Sequence, residues 1–175
     1  MPTRRAREPV TAERLRAIAR RLLSASTLCS IATVSRDGRP HINTAYFAWG
    51  TDFQIVWLSE PAARHSRNLE SNPAVAIAVY DSTQTWGGRD RGIQLFGNAR
   101  EVSGRTVADA YRLYSSRFRD YSYDDLRAYR LYRFRPRTLK LFHERDLGGA
   151  TFVTATVGRG GRLVWKRTEA YVGRS

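Results

Sequence analysis

The sequence predicts a mainly β protein of the α+β class, in which an antiparallel sheet closes fully or partly into a barrel decorated by helices. Three observations predict this class. Short apolar or alternating segments recur along the chain, turn residues separate most of them, and only a few segments have a helical period. A β-sandwich uses the same elements, and strand propensity alone does not distinguish it from a barrel.

The first helix is predicted at residues 11–25, where Thr11 is a suitable N-cap. Apolar residues then recur at helical spacing, at Leu15, Ile18, Ala19, Leu22 and Leu23. Strands are predicted at 28–35, 40–49 and 53–58, with tight turns between them. These three strands should form an antiparallel meander.

The middle and last parts of the chain continue with short elements. Pro61 suits the first turn of a helix over residues 62–71, which Asn72 and Pro73 end. A glycine-bearing polar loop at 81–90 should separate two strands, and a second amphipathic helix should cover 107–118. The remaining predicted elements are strands at 75–80, 91–102, 132–135, 138–142, 151–157 and 162–167, and a short extra turn at 124–130.

The 175 residues suit one domain, which we place at residues 11–175 after a flexible, basic N-terminal segment at 1–10. The single Cys29 lies in an apolar run and has no intrachain partner for a disulfide, so we expect a reducing, cytoplasmic compartment. No stretch of about 18 apolar residues occurs, and no secretion signal core follows the basic start, so we expect no membrane association.

The chain carries 30 basic and 16 acidic residues, a formal net charge of +14, which favours an anionic partner such as phosphate or nucleic acid. Its basic residues are spread over helices and strands instead of forming one block. Tyrosines and arginines alternate between residues 111 and 133 and could stack on a nucleic acid strand. Such tyrosines more often pack a helix onto a barrel, so nucleic acid binding is kept only as an alternative.

A candidate phosphate site lies between the third strand and the following helix. Ser59 stands at the strand end, and Arg64 and His65 fall in the first turns of the helix. Arginine supplies a planar fork of donors, and a helix N-terminus adds free N–H groups with a partial positive charge. Arginines on a short surface helix are usually solvated, however, so spacing alone does not decide the function.

The ordered set of segments resembles the pyridoxamine 5′-phosphate oxidase-like FMN-binding split-barrel superfamily over about residues 10–142. The segments that carry the resemblance are Ile31-Ala32-Thr33-Val34, Asp37-Gly38-Arg39-Pro40, Leu58-Ser59-Glu60-Pro61, Arg64-His65-Ser66-Arg67-Asn68-Leu69, Asn72-Pro73 and Gly92-Ile93-Gln94-Leu95-Phe96-Gly97-Asn98-Ala99. The resemblance implies a six-stranded split barrel and a homodimer that holds two FMN molecules in grooves at the subunit interface.

The resemblance also implies roles for nine residues. Arg64 and His65 would hold the FMN phosphate, assisted by Ser59. Trp86 of the partner subunit would stack on the isoalloxazine ring. The residues that would run beside the polar edge of the ring are Asn43, Thr44, Ala45 and Tyr46 of the second strand and Gln94 of the fifth.

The sequence departs from the superfamily pattern at two places. Many relatives have Lys where this chain has His65, and a neutral imidazole binds phosphate more weakly than an ammonium group. Histidine is also a common axial ligand of iron, which leaves haem, and the deazaflavin F420, as alternative cofactors to FMN.

The second departure is at the C-terminal part, where Trp165-Lys166-Arg167 matches poorly the Trp-to-Arg ending of the vitamin B6 enzyme. We therefore expect an oxidoreductase of the superfamily that acts on an unidentified small organic substrate or on a second redox cofactor. His41, His65 and His143 lack metal-ligand spacing and cysteine partners, so no metal site is predicted.

Overall fold

The computed structural model describes residues 3–6, 9–119 and 128–171. Its strands are β1 Thr3–Ala6, β2 Leu28–Val34, β3 Pro40–Trp49, β4 Ile55–Ser59, β5 Ala74–Tyr80, β6 Arg91–Glu101, β7 Arg130–His143, β8 Thr151–Val157 and β9 Leu163–Tyr171. Its helices are α1 Ala12–Ser24, α2 Arg64–Ser71, α3 Val107–Arg117 and α4 Glu144–Leu147. None of the helices in these ranges has the length and apolar character that crossing a membrane requires.

The strands follow the order β1-β9-β8-β7-β4-β3-β2-β5-β6, and β7 also pairs with β6. This second pairing closes strands β2 to β7 into a six-stranded antiparallel barrel. The predicted barrel is therefore confirmed, and the sandwich is excluded. Strand β4 pairs with β3 on one side and with residues 130–134 of β7 on the other, so a long-range pairing completes the ring.

Most predicted elements are present, with small shifts at their ends. Helix α1 begins after Thr11, whose side chain accepts a hydrogen bond from the Arg14 N–H. Strand β4 begins at Ile55 rather than at residue 53, because Phe53 closes a turn in the left-handed region with φ 65°. Helix α2 begins at Arg64, since residues 60–63 form a turn in which the Ala63 N–H donates to the Glu60 carbonyl.

Strand β7 differs from the prediction, which was wrong in dividing it into strands at 132–135 and 138–142. It is one strand of 14 residues with Pro136 inside it. Residues 130–134 pair with β4 and residues 138–142 pair with β8, so the missing N–H of Pro136 falls between these two ladders. Arg130, which was assigned to the extra turn at 124–130, begins this strand, and residues 124–127 lie outside the described residues.

The chain start also contains an element that the sequence does not predict. Residues 3–6 form β1, which pairs antiparallel with β9 at residues 168–171. Strand β9 is longer than the predicted segment at 162–167 and ends at Tyr171. This additional length provides the pairing partner for β1.

The chain contains two compact units of closely contacting residues. The first comprises the described residues within 1–26, 78–95 and 137–175, and the second comprises those within 27–77 and 96–136. In the first unit, α1 packs on β9 and buries the five apolar residues predicted to form its inner face. In the second unit, α3 covers β3 and β4, with Tyr114 packed near Ala48 and Val56.

Gly97 allows two strands of the second unit to approach each other closely. A Cβ atom at this position would lie 2.1 Å from the carbonyl oxygen of Arg135 and 2.9 Å from Cα of Pro136. Both neighbouring atoms belong to the backbone of β7, and they cannot swing aside as the end of a side chain can. The β6–β7 pairing that closes the barrel therefore requires glycine at this position.

Candidate functional site

The second unit contains a cavity of about 450 Å³, a volume typical of small-molecule sites. Strand β3 forms one wall, and β4, α2 and α3 each contribute a side chain. The residues that line the cavity are Asn43, Thr44, Ala45, Tyr46, Leu58, His65, Tyr114 and Tyr129. We call this the β3 cavity.

The β3 wall presents polar groups to the cavity. Asn43 is half-buried, and its Oδ1 atom is a buried hydrogen-bond acceptor without a partner in the structure. An unpaired buried acceptor is costly, since burial removes its bonds to water. Because this Oδ1 atom is enclosed, on the same sheet face as the buried Ile31, a ligand N–H or O–H donor reaches it only when the Asn43 side chain turns toward the cavity.

Hydrogen bonds hold the first turn of α2 against the end of β4. The Ser59 Oγ lies 2.7 Å from the His65 Nε2, and the Ser66 hydroxyl donates to the Ser59 Oγ over 3.0 Å. Ser59 and Ser66 are buried, which fixes the orientation of the half-exposed imidazole. The N-cap residue of α2 is Ala63, which has no side chain that can accept a bond from the first-turn N–H groups.

The His65 ring also lies parallel to the ring of His41, with 6.4 Å between the ring centroids and 9° between the planes. Burial lowers the pKa of His65 below its ordinary value of 6.5, and the neighbouring His41 lowers this pKa further. His65 is therefore neutral near pH 7 in the ligand-free protein. A bound phosphate would act in the opposite direction, because an anion favours the charged imidazole.

Arg64 lies at the exposed start of α2 and is not among the residues that line the β3 cavity. Its charge acts electrostatically on Asp37 in the turn between β2 and β3. There, the pKa of the Asp37 carboxyl is lowered mainly by the bond that Ser35 donates, with Arg64 as the smallest contribution. Arg64 therefore adds positive charge to the surface near the start of α2.

Five of the nine predicted site residues line the same cavity: Asn43, Thr44, Ala45, Tyr46 and His65. Ser59 is bonded to one of these five, and Arg64 precedes His65 in the chain. Trp86 and Gln94 belong to the first unit, where Trp86 is fully exposed and Gln94 is half-buried on β6. The binding roles of all nine residues remain predictions.

Four residues around the cavity were not predicted from the sequence. The sequence shows His41 as one of three separated histidines and Leu58 as part of a segment that resembles the superfamily, and neither receives a site role from it. Tyr114 and Tyr129 were interpreted as packing residues or as a nucleic-acid surface. The pairing of His41 with Thr33 places it on the strand that forms the cavity wall, but only the tertiary structure brings it beside His65.

The closed six-stranded barrel, with a polar cavity between β3 and the start of α2, places the molecule in the split-barrel class of small-molecule-binding folds. The chain belongs to the pyridoxamine 5′-phosphate oxidase family, whose sequence model matches residues 15–143. The family predicted from the ordered segments is thus confirmed.

Individual relatives match smaller parts or only the fold. A pyridoxine/pyridoxamine 5′-phosphate oxidase of Rubrobacter xylanophilus is 32% identical over 81 residues, 46% of this chain and 35% of the relative. A heme binding protein from Mycobacterium smegmatis has a TM-score of 0.63 at 21% identity, over 90% of this chain and 62% of that protein. An F420 reductase has a TM-score of 0.53 at 25% identity, over 68% and 93%.

The three relatives differ in what their names say they bind or convert. The chain matches about a third of the length of the curated oxidase. The match to the family model establishes the family, whereas the cofactor and the substrate have to be argued from the residues of this chain.

Proposed function

We propose that this protein binds FMN in the β3 cavity and acts as a flavin-dependent oxidoreductase on a small organic substrate. The observation that carries the proposal is that Asn43, Tyr46 and the His65 imidazole, which Ser59 holds at 2.7 Å, line one cavity. FMN has an imide N–H on the polar edge of its ring and a phosphate at the end of its ribityl chain. The cavity offers groups that suit both ends.

The ring end fits the β3 wall. Once the Asn43 side chain turns toward the cavity, its Oδ1 would accept the bond from the imide N–H, which would satisfy an acceptor that otherwise lacks a partner. The adjoining residues at 44–46 supply further polar and aromatic surface along the same strand. These residues would hold the ring in one orientation.

The phosphate end fits the start of α2. His65 would bind the phosphate as an imidazolium, and Ser59 would keep the ring oriented through the existing 2.7 Å contact. The N–H groups of the first turn, which Ala63 does not cap, would add donors and the positive end of the helix dipole. Arg64 would contribute charge from the surface.

When bound, FMN supplies hydride transfer at its N5 atom. The residues of this chain then orient the ring, exclude water from the cavity and neutralise the phosphate charge. Such a site needs no dedicated acid or base on the protein.

Haem is the second candidate, since a neutral, half-buried imidazole is able to ligate iron. The contact between the Ser59 Oγ and the His65 Nε2 favours FMN, because ligation through Nε2 would break that contact. The deazaflavin F420 shares the imide edge and a phosphate with FMN, so the same residues would serve it.

The visible absorption spectrum of the purified protein, with and without added FMN, tests the cofactor. We expect flavin bands and uptake of added FMN. Replacing the acceptor with Asn43→Leu should weaken FMN binding about tenfold, and Asn43→Asp, which keeps an oxygen acceptor, should bind more tightly than Asn43→Leu. A protein that takes up no flavin contradicts the proposal, and a Soret band lost in His65→Ala supports haem instead.

We further propose that the protein functions as a homodimer through the outer face of β2 and β3. Leu28, Ile42 and Tyr46 are 41%, 66% and 57% exposed, and the register places Leu28 opposite Tyr46. Ser30 and Thr44 lie between this pair and Ile42 on the same face, and three exposed apolar side chains on one sheet face support an interface there. Tyr46 also lines the β3 cavity, so a second copy seated on this face would border the cofactor site.

Light scattering of two variants tests the dimer. Ile42→Asp should give monomers and weaker FMN binding, because it places a charge in the apolar face. Val164→Asp changes an equally aliphatic, exposed residue of β9 outside this face and should remain dimeric. A monomeric native protein, or a dimeric Ile42→Asp variant, would exclude this interface.

A further inference from the structure

The first unit contains a second cavity, of about 360 Å³, which the proposed flavin site does not use. Helix α1, the end of the 81–90 loop, the start of β6 and the end of β7 surround it. Four arginines line it: Arg21, Arg89, Arg91 and Arg145. We call this the arginine cavity.

Two of the four arginines are held in place by carboxylates. Arg21 Nη1 lies 2.7 Å from the Asp146 Oδ2, and Arg91 Nη2 lies 2.8 Å from the Asp81 Oδ2. Thr83 donates to the Asp81 carboxylate through its hydroxyl and its backbone N–H, which fixes the carboxylate that holds Arg91. A guanidinium has five N–H donors, so each arginine retains donors for a ligand.

The other two arginines, Arg89 and Arg145, are exposed and form no ion pair with any residue that the structure describes. Asp90 is the acidic residue in the cavity lining. Its backbone exchanges bonds with Glu144: the Glu144 N–H donates to the Asp90 carbonyl, and the Asp90 N–H donates to the Glu144 carboxylate. Arg89 and Arg145 are therefore uncommitted cations in a lining whose one acidic residue is Asp90.

His143 is a buried polar residue of the same lining, with 7% of its surface exposed. Its Nδ1 atom lies 3.2 Å from the Asp146 Oδ2 but forms no hydrogen bond. The side chains of Leu22 and Ala25 from α1 add an apolar wall. The cavity therefore combines a cationic rim, a buried polar atom and an apolar surface.

We propose that the arginine cavity binds a small phosphate ester with an organic body, for which adenosine 5′-monophosphate serves as the probe. Arg89 and Arg145 would take the phosphate, since guanidinium groups pair with phosphate oxygens through two parallel bonds. The apolar wall from α1 would take the organic body. A concave site of this volume suits a small molecule, whereas a nucleic acid strand needs an open groove.

Isothermal titration of the full chain with adenosine 5′-monophosphate, inorganic phosphate and adenosine tests the proposal. We expect the monophosphate to bind more tightly than either fragment, with and without saturating FMN. The variant Arg89→Gln/Arg145→Gln should lose at least about tenfold in affinity, because it removes two charge-assisted contacts. Both side chains are exposed, and thermal melting checks that the variant is folded.

A matched control removes the same charge elsewhere. Arg105→Gln/Arg159→Gln lowers the net charge by the same two units at exposed positions outside the cavity and should leave the affinity unchanged. Equal loss in this control would show that only the overall charge matters, and absence of binding would overturn the site. Displacement by FMN, or equal affinity for inorganic phosphate, would each overturn it as well.

Discussion

Replacing Gly97 with alanine should destabilise the protein by about 3 kcal/mol, at the upper end of the cost of overpacking. The new Cβ would lie 2.1 Å from the carbonyl oxygen of Arg135, whereas Cβ atoms essentially never approach another atom closer than 3.0 Å. Strands β6 and β7 would therefore have to separate by about 0.9 Å, the difference between these two distances. Because the obstructing atoms are backbone, this separation stretches the hydrogen bonds that close the barrel.

Urea unfolding followed by circular dichroism measures the effect, and the thermal midpoint should fall by roughly 6–12 °C for a chain of this length. Gly149→Ala is the control, since its Cβ would meet only the Glu144 Oε1 at 3.9 Å and its φ is not positive. We expect that variant to stay within about 1 kcal/mol of the native protein. A Gly97→Ala loss below about 1 kcal/mol would refute the argument that β6 and β7 are in contact at this glycine.

Four further predictions concern His65, Cys29 and Asn68. Burial lowers the pKa of His65 in the folded state, so its neutral form contributes stability above about pH 6.5 that is lost as the pH falls. The free energy of unfolding in urea should therefore depend less on pH between 5 and 7 in His65→Gln than in the native protein. If phosphate binding raises the pKa of His65, fluorescence titrations should show that FMN affinity falls as the pH rises, by up to about tenfold per pH unit. The variant His65→Lys should remove this pH dependence. Burial raises the pKa of Cys29 to about 12, so a thiol reagent at pH 8 should label it only on unfolding; rapid labelling of the native protein would contradict this. Asn68 donates a hydrogen bond of 2.9 Å to the buried Thr33 hydroxyl. Asn68→Ala should lower the free energy of unfolding in urea by about 1–3 kcal/mol, and most of this loss should disappear when Thr33→Val is already present.

Local sequence signals predicted most helices and strands, because caps, turns and apolar spacing act between residues that are close in the chain. The cap at Thr11 and the apolar period behind it define α1, and the short turn at 36–39 defines the β2–β3 hairpin. The distinction between barrel and sandwich was not predictable from these signals. It depends on the pairing of β6 with β7, which no turn connects and which relies on a glycine facing a distant backbone.

The candidate site shows the same division. The family resemblance implied Asn43 to Tyr46, and the strand end followed by a basic helix start also indicated Ser59 and His65. The stacking of His41 on His65 depends on how β3 packs against α2, and the sequence gives no spacing rule for it.

The arginine cavity was missed for a related reason. Its lining comes from α1, from residues 89–91 and from residues 143–145, which are far apart in the chain. In a protein with 30 basic residues, arginines that line a cavity cannot be distinguished by composition from those on a solvated surface.

Strand β7 has a consequence for folding during synthesis. Ile55 of β4 pairs with Phe134, which the ribosome adds about 80 residues later, so one edge of β4 stays unpaired until β7 has been synthesised. Unpaired strand edges are sites where chains associate wrongly. For much of translation the nascent chain therefore carries the β3 wall of the candidate cavity beside an open edge, and chaperone dependence should be greatest in that interval.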